Sequence, residues 1–97
     1  MSWATTAIAK LKAGETVTIC PRGNSMVPLI HSGDEVTLVP LTANTLPVKG
    51  DVVLVHVAGS DYLHLIKATQ GNRYLIGNNH GKVNGWVGIE NIYGKKI

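Results

Sequence analysis

The sequence predicts a mostly β domain with one short helix at its N-terminus. Three observations favour this fold class: apolar and polar residues alternate in short runs, glycines and prolines separate these runs, and helical spacing of apolar residues occurs near the N-terminus. The chain has 97 residues, 44% of them hydrophobic, with eleven glycines and no phenylalanine. A chain of this length and composition is expected to form one domain over residues 1–97.

The first element is predicted to be an amphipathic helix. Apolar residues recur at helical intervals between Trp3 and Lys12, and Gly14 is placed to end the helix.

After Gly14 the pattern changes to strands separated by turns. Residues 52–57 are apolar on both faces, which is typical of a central strand. Residues 58–61 then form a predicted hairpin turn. The predicted strands cover residues 16–20, 35–40, 52–57, 62–67 and 73–76, followed by one or two short strands before Ile97.

Charge and hydropathy argue against several classes of protein. The net charge is +3, but the basic residues are scattered and no recognition helix or zinc-finger spacing is present, so no nucleic-acid partner is expected. The sequence contains no run of about 18 apolar residues, so no membrane span is predicted. The N-terminus lacks the pattern of a secretory signal.

Cysteine and histidine usage predicts neither disulfides nor metal. Cys20 is the only cysteine, which excludes an intrachain disulfide and favours a cytoplasmic location. Four irregularly spaced histidines and one cysteine form no known ligand set, so we expect no metal and no cofactor.

The stretch from Gly23 to Pro28 is the first candidate for chemistry. A nucleophilic serine benefits from a tight turn that exposes its hydroxyl and aims backbone N–H groups at a developing oxyanion. Ser25 lies in such a turn. From the residues alone, a turn of this kind more often only connects two strands.

Four blocks resemble the signal-peptidase and LexA-like serine peptidases, in the order of that family. Gly23–Ile30 with Ser32–Val36 is similar to its Gly-x-Ser-Met-x-Pro…Gly-Asp-x-Val block, and Lys49–Val55 to its Gly-Asp-Val/Ile-Val strand. Tyr62–Ile66 resembles the strand of the general base, and Gly77–Asn79 the Gly-Asp-Asn-Asn segment. The resemblance covers most of the chain after the helix.

The resemblance implies a β-rich LexA/signal-peptidase-like catalytic fold and a serine endopeptidase that cleaves peptide or protein substrates beside small residues. Ser25 is the implied nucleophile and His64 the implied general base, as in the Ser-His members. Asn24, Met26, Asn78 and His80 are the supporting candidates, lining the groove, holding the oxyanion or orienting the imidazole. Small members without an anchor would suit a phage or mobile-element genome.

Lys67 is the rival base, because many members of the family use lysine. Lys67 lies three residues after His64 along the predicted strand and therefore on its opposite face, so the two cannot both face Ser25.

Two departures from the family pattern keep an alternative open. Asn78 stands where the family has an acidic residue, and Leu65 stands where the Ser-His members have arginine. Both favour a catalytically inactive relative that binds a protein or forms a homodimer. Residues 86–89 would supply the apolar edge for such a dimer.

The remaining polar residues are given structural roles. His31 and Asp34 lie in turns, and Asp51 follows a glycine. His56 lies near a strand end, and Cys20 within a strand pattern is not expected to be a nucleophile. Self-cleavage is not expected at either Ala-Gly dipeptide, residues 13–14 or 58–59.

Overall fold

The computed structural model describes residues 4–23 and 26–97 of the chain. Helix α1 covers Thr5–Lys12, and a single 3₁₀ turn covers Ile89–Asn91. The strands are β1 Val17–Ile19, β2 Val36–Pro40, β3 Val52–Val57, β4 Ser60–Gln70, β5 Arg73–Gly77, β6 Val83–Gly88 and β7 Ile92–Lys96.

All seven strands belong to one antiparallel sheet in the order β1-β2-β7-β3-β4-β5-β6. The last strand, β7, inserts between β2 and β3, while the hairpins β3–β4, β4–β5 and β5–β6 follow one another directly. The predicted mostly β fold with one N-terminal helix is therefore confirmed. The predicted central position of residues 52–57 is confirmed as well, because β3 has a neighbour on each side and is almost wholly buried.

Strand β4 is longer than predicted at both ends. The turn from β3 uses only Ala58 and Gly59, both in the left-handed region with φ of 51° and 82°, so Ser60 and Asp61 already pair with β3. At the other end, a bulge between Ile66 and Ala68 lets the strand continue alongside β5. Neither the turn length nor the bulge is visible in the apolar pattern.

The two faces of the sheet carry separate hydrophobic clusters, because successive strand residues point to opposite faces. One cluster lies under α1 and includes Ala7, Leu11, Leu38 and Leu54. The other gathers residues of the opposite parity, such as Val53 and Ile76. Both sheet faces therefore contribute to the core.

Helix α1 begins at Thr5 and ends at Lys12, in agreement with the predicted end. The predicted start at Trp3 lies outside the described residues. Lys10 and Lys12 occupy the last turn, where positive charge complements the helix dipole. In the described part of the chain, no helix is long and apolar enough to cross a membrane.

The core packing predicts a large difference between two leucines. Leu54 has no exposed surface in the cluster under α1, whereas Leu46 is 50% exposed. Leu54→Ala should lower the free energy of unfolding by about 2–5 kcal/mol through lost burial and a cavity. Leu46→Ala, the matched control, should change it by about 0.5 kcal/mol or less. Urea unfolding measures both values, and equal losses would contradict the assigned core.

Candidate active site

A cleft of about 360 Å³ lies between the end of β1 and the first half of β4. One wall consists of residues 20–23 together with Met26, Ile30 and His31. The other wall consists of residues 61–64 of β4. The cleft therefore joins the segment around the predicted nucleophile to the strand of the predicted base.

His64 is the buried polar residue of this cleft, with 5% of its surface exposed. It pairs with Val53 in the ladder and shares a sheet face with Ile66. The ring of Tyr62, two residues earlier on the same face, stacks on the imidazole with centroids 4.7 Å apart and planes 19° from parallel. The strand and the stacked ring thus restrict how the imidazole can turn.

The backbone carbonyl of Leu63 determines which imidazole nitrogen carries the proton. His64 Nδ1 lies 2.7 Å from Leu63 O. A carbonyl oxygen only accepts, so Nδ1–H donates and the lone pair of the neutral ring resides on Nε2. None of the described residues hydrogen-bonds Nε2. The imidazole is therefore held in the form that can accept a proton through Nε2.

Burial keeps the imidazole neutral. It lowers the pKa of His64 below the usual 6.5, because the low-dielectric surroundings disfavour the charged ring. The Leu63 hydrogen bond acts in the opposite direction, and the positive charge of Lys82 lowers the pKa further. At neutral pH the ring is thus an uncharged base.

The loop from Pro21 to Asp34 is closed by bonds across its base. Pro21 O accepts from Gly33 N at 2.8 Å, and the Ser32 hydroxyl accepts from Gly23 N at 3.3 Å. Gly33 has φ of 89°, a conformation that favours glycine. Within the loop, Ile30 N donates to Met26 O at 3.0 Å. These bonds link the described residues on either side of positions 24–25 and hold them on the wall of the cleft.

Ser25 and Asn24 lie outside the described residues, so their predicted roles stay predictions. Their described neighbours in the chain, Gly23 and Met26, both line the cleft with His64. Met26 is 4% exposed and also belongs to the cluster under α1. It therefore serves both the cleft wall and the core.

The other two supporting candidates, Asn78 and His80, lie in the loop between β5 and β6. Asn78 Oδ1 accepts the backbone N–H groups of His80 at 2.8 Å and of Lys82 at 3.0 Å. The side-chain oxygen of Asn78 thus closes its own loop, while Leu63 O supplies the bond that orients His64. His80 is exposed.

The structure adds a residue that the sequence interpretation missed. Asn79 Nδ2 donates to Val27 O at 2.9 Å, joining the β5–β6 loop to the turn that follows Ser25. The Gly-Asn-Asn block was a signal for this loop, but its spacing does not reveal which asparagine reaches across the fold. The rival base Lys67 does not line the cleft, and its side chain lies beside Gly77.

The edge of β4 that borders the cleft pairs with no strand among the residues that the structure describes. Ile66 N donates to Asp51 O and Ile66 O accepts from Gly50 N, so the even-numbered residues of β4 bond toward the β3 side. The backbone groups of Asp61 and Leu63 therefore point away from β3, and β5 pairs with β4 only from Leu65 onward. An extended peptide fits such an edge as an added strand.

A histidine–carboxylate pair lies beside the cleft. His56 Nδ1 is 2.8 Å from Asp61 Oδ1 across the β3–β4 hairpin. Asp61 lines the cleft but His56 does not. Asp34 Oδ2 accepts from His31 N at 2.9 Å and Asp51 Oδ2 from Val48 N at 2.9 Å, which are turn-stabilising roles.

Among residues 4–23 and 26–97, no group of three or more His, Cys, Asp or Glu side chains is arranged to hold a metal ion. No protein-family model matches the chain, and no curated protein or solved structure matches it either. The functional inference therefore rests on the residues of the cleft.

The lowered pKa of His64 predicts a pH-dependent stability. As pH falls below about 6.5, the unfolded chain takes up the proton before the buried ring does, so folded-state stability is lost toward acid pH. In His64→Gln this contribution should disappear, giving a smaller loss between pH 7 and pH 5 than in His31→Gln, the matched substitution at an exposed position. Denaturant unfolding at the two pH values measures the difference. An identical pH dependence in both variants would contradict the buried neutral imidazole.

Proposed function

We propose that this protein is a serine endopeptidase of the signal-peptidase/LexA type, with Ser25 as nucleophile and His64 as general base. One observation carries the proposal: a buried imidazole, held with its proton on Nδ1, lines the same cleft as both described neighbours of residues 24–25. The four sequence blocks and the mostly β fold support the same assignment. The single cysteine favours action in the cytoplasm.

In the proposed reaction, the Ser25 hydroxyl oxygen bonds to the peptide carbonyl carbon while His64 Nε2 takes the hydroxyl proton. Backbone N–H groups near Ser25 stabilise the resulting oxyanion. The carbon–nitrogen bond then breaks and Nε2–H protonates the leaving amine. Water, deprotonated by the same nitrogen, then adds to the acyl carbon. The ester bond to the Ser25 oxygen breaks, and Nε2–H returns its proton to that oxygen.

The substrate is proposed to bind as an extended strand along the open edge of β4. Asp61 N–H, Asp61 C=O and Leu63 N–H are the backbone groups directed toward that edge. Main-chain bonding of this kind holds the peptide extended without demanding particular side chains. The preference for small residues beside the cleaved bond follows from the family resemblance.

A fluorophosphonate probe tests the nucleophile and the base without a known substrate, because it phosphonylates an activated serine. Wild-type protein should react with one equivalent of probe, and Ser25→Ala should not react. His64→Ala should react about 10²–10⁴-fold more slowly, the usual contribution of a general base. Peptide mapping by mass spectrometry identifies the labelled residue.

Two matched controls accompany these variants. Ser60→Ala removes an exposed serine at the start of β4, and His56→Ala removes the histidine of the neighbouring carboxylate pair. Both should keep wild-type labelling. Undiminished labelling of Ser25→Ala would overturn the nucleophile, and loss in His56→Ala with retention in His64→Ala would reassign the base.

Backbone methylation tests strand addition once a cleaved peptide is found in an Ala- and Gly-containing library. Along an extended peptide, alternate amides face the β4 edge. N-methylation of an edge-facing amide should reduce kcat/KM about tenfold or more, because a hydrogen bond is lost and the methyl group obstructs pairing. Methylation of the next amide is the control and should be tolerated. Equal tolerance at both positions would exclude binding at this edge.

A non-catalytic binding or dimerisation module is the second candidate, favoured by the other end of the sheet. Strand β6 ends the sheet, and its outer edge pairs with no strand of the described residues. It carries no charged residue, and Trp86 is 40% exposed. Such an edge can pair with a second copy of the chain. A dimer in sedimentation equilibrium, together with failure of the wild-type protein to react with the probe, would put this candidate first.

A further inference from the structure

The turn that follows Ser25 needs a fixed position relative to the sheet if the proposed reaction is to work. A nucleophile and a base on different segments react efficiently only when held near reacting distance, and an error of about 1 Å can cost a hundredfold in rate. His64 lies on β4 within the sheet, whereas residues 26–30 lie in the loop between β1 and β2. A connection between the loop and the sheet would therefore affect the rate at which Ser25 and His64 react.

Asn79 makes such a connection. Its amide nitrogen donates to Val27 O at 2.9 Å in a partly buried bond between residues 52 positions apart. Because the carbonyl can only accept, the NH₂ group of the amide must face it. The bond reaches the turn two residues after Ser25.

The loop that carries Asn79 is itself held to the sheet. Asn78 N donates to Lys82 O at 2.9 Å, and Asn78 Oδ1 closes the loop through two further backbone bonds. The loop starts from β5, and Gly77 at the end of β5 pairs with Leu65, the residue after His64. A short chain of contacts thus runs from β4, the strand that carries His64, through β5 and Asn79 to the turn after Ser25.

We infer that Asn79 is a positioning residue that holds the turn after Ser25, residues 26–30, at a fixed distance from His64. The inference rests on the proposed function and assigns to Asn79 no contact with substrate. Its effect is on the rate of serine attack, with the proton-accepting properties of His64 left unchanged.

The decisive experiment measures the kinetics of fluorophosphonate inactivation in Asn79→Ala and Asn79→Asp. The alanine removes the donor, and the aspartate keeps the size while placing an oxygen against Val27 O. Both should lower the maximal inactivation rate about tenfold to a hundredfold. The probe concentration giving half-maximal rate should stay within about twofold in both variants. The pH midpoint of the reaction, which His64 governs, should stay unchanged in Asn79→Ala, which adds no charge to the loop. Asn44→Ala, in the exposed loop between β2 and β3, is the control and should match wild type.

Hydrogen exchange of the Ile30 amide gives a second readout that needs no catalysis. This amide donates to Met26 O within the turn. Its exchange should accelerate in both Asn79 variants and stay unchanged in Asn44→Ala, with thermal unfolding recorded to confirm that each variant is folded.

The outcomes separate this inference from the proposed function. Wild-type inactivation rates in the Asn79 variants, or a lower rate accompanied by a shifted pH midpoint in Asn79→Ala, overturn the positioning role. A wild-type protein that never reacts overturns the proposed function instead. In that case, unchanged Ile30 exchange in Asn79→Ala would show that the Asn79–Val27 bond does not hold the turn either. Accelerated exchange would show that it does.

Discussion

Strand β4 pairs with β3 along its first half and with β5 along its second half. In the first half, its other side has no neighbouring strand among the described residues, and this is where residues 61–64 border the cleft. Because backbone groups alternate in direction along a strand, the same residues that hold the hairpin together cannot also satisfy the open edge. The change of partner along one strand thus creates the cleft wall. It also leaves the backbone groups of Asp61 and the Leu63 N–H without a strand partner among the described residues, while the Leu63 carbonyl accepts from His64.

The environment of His64 differs from that of a histidine oriented by a carboxylate. A carboxylate would favour the imidazolium and raise the pKa, whereas the Leu63 carbonyl selects the tautomer without a formal charge. Burial and Lys82 shift the pKa downward. The resulting base is fully available at neutral pH but gains less stabilisation once it has taken a proton. For the proposed peptidase this arrangement favours a modest rate.

Asp61 shows why proximity alone does not assign a role. Asp61 lines the cleft, yet it lies three residues from His64 along the strand, and its side chain is therefore on the opposite face of the sheet. It bonds to His56 instead. The alternation that builds the two hydrophobic clusters also separates the two histidines, so each is paired with a different kind of acceptor.

The sequence by itself determined the fold class and the approximate strands, since both depend on local periodicity and on residue types at nearby positions. The choice of His64 over Lys67 as the base rests on the family resemblance and stays a prediction. It did not reveal the Leu63 carbonyl as the partner of the imidazole, because the direction of a backbone group follows from strand pairing. It also pointed to Asn78, although Asn79 is the asparagine that reaches Val27. The unpaired edge of β4 depends on strand register, and the Asn79 bond joins segments 52 positions apart in the chain. Only the folded sheet sets that register and brings those segments together.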